Sequence, residues 1–198
     1  MSEIQEYGIY QLDEYNLFQL ALSIFDREIV EGDLTEDPAI KEIRSCRQYL
    51  PSAVSRVLRE FDWSFLIKEI TLDEDDDSPG LGFDHGLKIP EGVFKIVHVG
   101  SDFPYQVAGG RIYFDDHPGK VKVYGIYKTF TEDDVPPDFL EAIAYALAFK
   151  IAPLLAPAGR LDSLILQRYS WVLTGLMSAE CHNNARGQDD LDTGDLYG

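Results

Sequence analysis

Cysteine and basic side chains are scarce in this 198-residue chain, which has 2 cysteines and 17 lysines and arginines against 35 aspartates and glutamates. Cys46 and Cys181 stand far apart with no Cys-x-x-Cys pair, so they read as reduced fillers rather than a disulfide or a zinc site. The formal net charge of −18 repels nucleic-acid phosphate, which argues against sequence-specific DNA binding. It leaves two readings: simple solubility, or a surface past which DNA slides without sticking. Long apolar runs are also missing. The longest, Ala142 to Ala158, is interrupted by Lys150, Pro153 and Pro157, short of the ~20 residues of a membrane span. The opening Met-Ser-Glu-Ile-Gln-Glu has neither the basic start nor the apolar centre of a signal peptide, so cytosolic synthesis is expected.

The patterns of catalysis are equally thin. His85, His98, His117 and His182 show no zinc-binding spacing, and neither a Gly-x-Ser-x-Gly elbow nor a phosphate-cradling glycine loop occurs. His98 alternates with core positions of its strand and reads as a structural histidine. Asp73, Asp75, Asp77 and Asp84 fall at positions 1, 3, 5 and 12 of a calcium-loop count, but Ser78 stands where the turn needs glycine and Pro79 follows. A solvated acidic loop is the expectation there. Glycoside hydrolysis needs two carboxylates facing each other across a cleft. Asp84, Glu91, Asp115 and Asp116 flank strands and are the least arbitrary candidates, although nothing in their spacing singles them out. No catalytic residue, metal or cofactor is expected.

What is present is a block order. Tyr15, Phe18, Ala21, Leu22, Phe25 and Ile29 recur at helical spacing and predict a first helix over roughly residues 13–30. Asp37 before Pro38 reads as a cap for a second helix on Ile40, Ile43, Leu50, Val54, Val57, Leu58 and Phe61, which Pro51 should kink or split. Strand signals follow at 66–72, 93–99, 105–107, 112–114 and 121–127, with turns at Gly109-Gly110 and at Asp116 to Gly119. They predict one small antiparallel sheet, with an exposed loop at 73–86. Pro136-Pro137-Asp138 opens a third helix on Leu140, Ile143, Ala144, Leu147, Ala148, Ile151 and Leu154. A fourth runs on Leu161, Leu164, Ile165, Val172, Leu176 and Met177. Residues 183–198 hold four aspartates and three glycines and are expected to be a flexible acidic tail. The expected class is α+β: a four-helix bundle of two helical pairs (1–63 and 136–182), an inserted antiparallel β lobe (64–135) and the tail (183–198).

Four anchors in this order carry a family resemblance over roughly residues 16–182. They are Cys46 to Tyr49 through Arg59-Glu60-Phe61-Asp62-Trp63-Ser64-Phe65; Leu87-Lys88-Ile89-Pro90 leading into Val93 to Val99; Val107 to Ile112 with Val121 to Tyr127; and Pro137-Asp138-Phe139 with Ala142 to Leu155. The chain resembles the head-to-tail adaptors of tailed phages, the tail tubular protein A group of short-tailed phages. The resemblance implies a virion structural protein at the head–tail junction, assembled in the bacterial host cytoplasm. It implies a homo-oligomeric ring, of about twelve subunits in relatives, between the portal protein and the tail nozzle protein. Genome DNA would leave through the lumen without specific binding, and no membrane is involved. Phe61, Trp63 and Phe65 are then expected to pack where helix two meets the β insert, with Pro90 at the step into it. Leu191, Leu196 and Tyr197 are candidate anchors for the portal or a neighbouring subunit. Two rival classes share the composition: a glycan-degrading hydrolase of the phage tail, and a free acidic protein that mimics DNA.

Overall fold

The computed structural model describes residues 10–30, 34, 40–73, 82–116, 118–155 and 162–192. The chain forms two compact units, Met1–Tyr10 with Phe65–Phe130, and Gln11–Ser64 with Thr131–Gly198. Four helices belong to the second unit: α1 (Glu14–Ser23), α2 (Lys41–Glu60), α3 (Pro137–Leu155) and α4 (Asp162–Asp192). Eight strands are described, β1 (Tyr10–Gln11), β2 (Ile67–Leu72), β3 (His85–Lys88), β4 (Val93–Gly100), β5 (Tyr105–Ala108), β6 (Arg111–Phe114), β7 (Val121–Tyr127) and β8 (Phe130–Thr131), with short 3-10 turns at Ser64–Leu66 and Glu132–Asp134.

The expected four-helix bundle of two helical pairs does not hold. The helices instead gather on α3, which packs against α1, α2 and α4, while α1 meets α2 only marginally. The reason lies in α3 itself. Phe139, Ala142, Ile143, Ala144, Ala146, Leu147, Ala148, Ile151 and Ala152 are all buried, so this helix is apolar nearly all round and needs cover on several sides. Its five buried alanines let neighbouring helices approach closely. α1, at 10 residues, is too short to run along the 20 residues of α2.

α1 stops early for a local reason. The Arg27 N–H donates to Leu22 O (3.2 Å) and Asp26 N–H to Ser23 O (3.1 Å), the paired bonds of a Schellman stop, with Asp26 in the left-handed region at φ 54. The Ile29 N–H then donates to Gln19 Oε1 (3.0 Å), which ties the following segment back to the helix. Phe25 and Ile29 are thus apolar at helical spacing without being helical. α2 is unbroken through Pro51. That proline is exposed, so its ring is accommodated on the outer side of the helix. Asp37 and Pro38 lie outside the described residues, and the N-cap is Ile40, with no side-chain cap bond.

The expected single sheet is two. β2-β7-β4 and β3-β6-β5 are each three-stranded and antiparallel, and β1 pairs with β8. Leu72, Leu87, Val99, Ile112, Phe114, Val121 and Val123 form one buried cluster, flanked by Ile70, Ile89 and Ile96. It draws on both three-stranded sheets. β3 begins inside the stretch expected to be loop, because a four-residue strand carrying Gly86 gives little alternation to read. The β5–β6 hairpin closes on Gly109 and Gly110 at φ 57 and 76, the two positive values that a two-residue turn between right-twisted strands requires. In β7, a Cβ on Gly125 would meet Val93 Cγ1 at 3.1 Å and Lys95 O at 3.3 Å. The absent side chain therefore makes room for the irregular β4 pairing between Val93 and Lys95.

Of the expected flexible tail, residues 183–192 continue α4 as helix to Asp192, and residues 193–198 lie outside the described residues. A helix already nucleated on its buried turns gains a hydrogen bond for each residue added, so polar composition alone does not end it. His98 is exposed on β4, its ring 5.9 Å from that of Tyr124, rather than a core residue.

Candidate interaction surface

The end of α2 fixes the first notable group. Trp63 is fully buried, and its Nε1–H donates to Val57 O at 2.9 Å. Val57 belongs to the last helical turn, whose carbonyls have no partner within the helix, so the indole caps the helix while filling the core. Its ring lies 5.4 Å from Phe61 and 5.4 Å, edge-on, from Phe139 of α3. Phe61 and Phe65 are half-buried, Phe65 in a 3-10 turn over Ser64–Leu66. In the same turn the Ser64 N–H donates to Glu180 Oε2 of α4 (2.8 Å), and the Ser64 hydroxyl donates to the same oxygen. Glu180 is buried, and these bonds supply the partners that a buried carboxylate needs.

A second anchor sets the rotation of α4. Tyr169 is buried, under the Arg56 guanidinium at 4.8 Å from its ring centroid, and its hydroxyl donates to Glu60 Oε1 at 3.3 Å. Burial pushes the Tyr169 phenol well above its ordinary range, with the Glu60 charge adding to the rise. With Ile165, Tyr169, Leu173, Leu176 and Glu180 all buried, the opposite face of α4 is turned outward. Trp171 follows Tyr169 by two residues, about 200° around the helix, and is 73 % exposed. Leu164, which the sequence pattern assigns to the buried stripe, is 46 % exposed on that outer side. Leu164, Gln167, Arg168 and Trp171 line an open groove of ≈ 410 Å³. Arg168 makes no ion pair or hydrogen bond among the described residues. An exposed indole beside an unengaged guanidinium is the pairing enriched at the energetic centres of protein interfaces. Sequence reasoning missed Trp171. The signal was available in its offset from Tyr169, once that residue is placed on the core side.

The remaining candidates are dispersed. Leu191 lies in the last turn of α4, and Leu196 and Tyr197 lie outside the described residues. Pro90 is half-buried in the turn before β4, where its carbonyl accepts from the Val93 N–H at 3.4 Å. Asp84, Glu91, Asp115 and Asp116 are all exposed, Asp84 just before β3, Glu91 in the turn before β4 and the last two just after β6. They decorate turns, whereas two-carboxylate hydrolysis needs a cleft. Of the calcium-count residues, Asp75 and Asp77 lie outside the described residues, and Asp73 is ion-paired with Lys120 at 3.2 Å. Among the described residues no group of three or more His, Cys, Asp or Glu could hold a metal ion, and no helix is long and apolar enough to cross a membrane. Cys46 is buried and Cys181 exposed, both as free thiols. Burial pushes the Cys46 thiol up to about 12, with Glu42 and Glu14 adding to the rise.

No protein-family model matches the chain, and no curated protein matches it.

Proposed function

We propose that this chain is a virion structural protein, the subunit of a head-to-tail adaptor ring in a tailed phage. The observation that carries an assembly role is Trp171, 73 % exposed beside Arg168 on the outer face of α4. An aromatic side chain this exposed, next to a cation that has no partner among the described residues, suits a subunit whose working state is a complex. The order of blocks supports the same reading: two helices, a β insert that starts just after Trp63, then two more helices. In this reading the helical unit engages the portal protein, the β unit engages the tail nozzle protein, and copies of the chain close a ring. A net charge of −18 would keep exiting DNA from adhering to the bore.

Co-sedimentation of the chain with portal protein tests the proposal. The wild type should pellet with portal, and Trp171→Ala and Arg168→Glu should reduce that binding. A monomer that ignores portal but binds a basic nucleic-acid protein would favour DNA mimicry. Release of sugars from host capsule would favour a hydrolase.

A further inference from the structure

Among the described residues, the β unit carries a second unpartnered surface, and its chemistry is different. In the sheet ordered β3-β6-β5, strand β5 is at an edge. Register puts Tyr105 opposite Phe114 and Val107 opposite Ile112, and directly paired residues project on the same face. Phe114 and Ile112 are fully buried members of the core cluster, yet no residue of β5 belongs to that cluster. Tyr105 is 44 % exposed and Val107 45 %, and Phe103, just before the strand, is 42 % exposed. The apolar face of this sheet thus extends past its cover, with the Tyr105 ring still 6.2 Å from that of Phe114.

β5 reads Tyr-Gln-Val-Ala and lacks the charged side chains that usually deter pairing at an open edge. Pro104, which has no N–H, ends the free edge on one side and Gly109-Gly110 on the other, so the available backbone is four residues long. Charge is uneven along it. Asp102, Asp115 and Asp116 are exposed at the Tyr105 end, and residues 108–112 at the turn end contain no acid.

We propose that β5 is a docking edge for an extended segment of a partner protein, one with alternate apolar residues and basic side chains at the end that meets Asp102, Asp115 and Asp116. The segment adds a fourth strand to β3-β6-β5, covers Tyr105 and Val107, and completes the sheet's apolar face. Basic residues at one end set its direction. A second copy of the chain fits less well, since it would bring further acids to an already acidic end. The proposal stands independently of the adaptor reading.

The test is amide-resolved NMR of the whole protein titrated with an acetylated peptide of alternating valine and threonine ending in two lysines. Saturable shifts confined to Tyr105–Ala108 and neighbouring β6 are expected. The same peptide ending in two glutamates should bind about tenfold more weakly or not at all, a gap of about 1.4 kcal/mol. Val107→Lys, at an exposed position, should abolish the shifts without altering the rest of the spectrum. The double variant Asp102→Lys, Asp115→Lys should reverse the preference between the two peptides. Shifts located elsewhere, no saturable shifts, equal response to the two peptides, or concentration-dependent shifts of β5 without peptide would each overturn the proposal, the last by showing self-pairing.

Discussion

The two tryptophans of the helical unit, Trp63 and Trp171, should respond to the same substitution in opposite ways. Trp63 is fully buried against Phe61 and Phe139, so Trp63→Ala should cost ~3–5 kcal/mol through lost burial and the cavity left behind. Trp63→Phe keeps most of the ring but strands the Val57 carbonyl that the indole N–H satisfies at 2.9 Å, and should cost about 1–3 kcal/mol. Trp171 is 73 % exposed, and Trp171→Ala should stay within about 0.5 kcal/mol of wild type. Urea denaturation read by far-UV circular dichroism measures all three. With a slope of about 2 kcal/mol per molar, a 4 kcal/mol loss moves the midpoint by about 2 M. The fluorescence of a Trp171→Phe protein, which retains only Trp63, should be blue-shifted in the native state. A cost below about 1 kcal/mol for Trp63→Ala, or above about 2 kcal/mol for Trp171→Ala, would refute the assignment of one residue to the core and the other to an interface.

Further outcomes follow from single contacts. Asp26 occupies the left-handed stop of α1 at φ 54, so Asp26→Gly should raise stability by about 1 kcal/mol in the same melts. The Cys46 thiol is raised from 9.0 to about 12 in the folded state. Its stabilisation is complete below pH 9, where both states are protonated, and falls as pH rises toward 12 because the unfolded chain ionises first. The full loss is up to about 4 kcal/mol, and Cys46→Ala should flatten that part of the pH dependence. At pH 8 a thiol reagent should modify Cys181 quickly and Cys46 only after unfolding. Glu180→Ala should cost about 1–3 kcal/mol in urea melts by leaving the Ser64 N–H without its acceptor. The purified chain should be largely monomeric in low salt by light scattering, since subunits of net charge −18 repel; a stable closed ring at micromolar concentration without portal would contradict this.

Legibility in the sequence followed the strength of periodic signals. β7 takes the residues 121–127 that alternation predicts, and the Gly109-Gly110 turn is read directly from residues that tolerate positive φ. The helices are present, but their limits and arrangement were hidden. Phe25 and Ile29 continue a helical spacing that Asp26 ends through backbone bonds, which no side-chain pattern records. The placement of α3 at the centre depends on Ala142, Ala146 and Ala152 counting as core as well, whereas the stripe on Ile143, Ala144, Leu147, Ala148 and Ile151 alone suggests a helix with one buried face. Pro51 did not break α2, because the cost of a proline depends on which side of the helix it faces. The outer groove of α4 escaped notice because Leu164 and Trp171 look like core by residue type, and only the anchoring of Tyr169 between Arg56 and Glu60 turns them outward.

The central claim, that this chain is an adaptor subunit, is tested most directly by electron microscopy of portal rings mixed with the protein. The account predicts an added coaxial ring on one end of each portal, with about one subunit per portal subunit, and its loss or thinning with Trp171→Ala. Portal rings that remain bare at saturating protein, with the chain still monomeric in the supernatant, would contradict it.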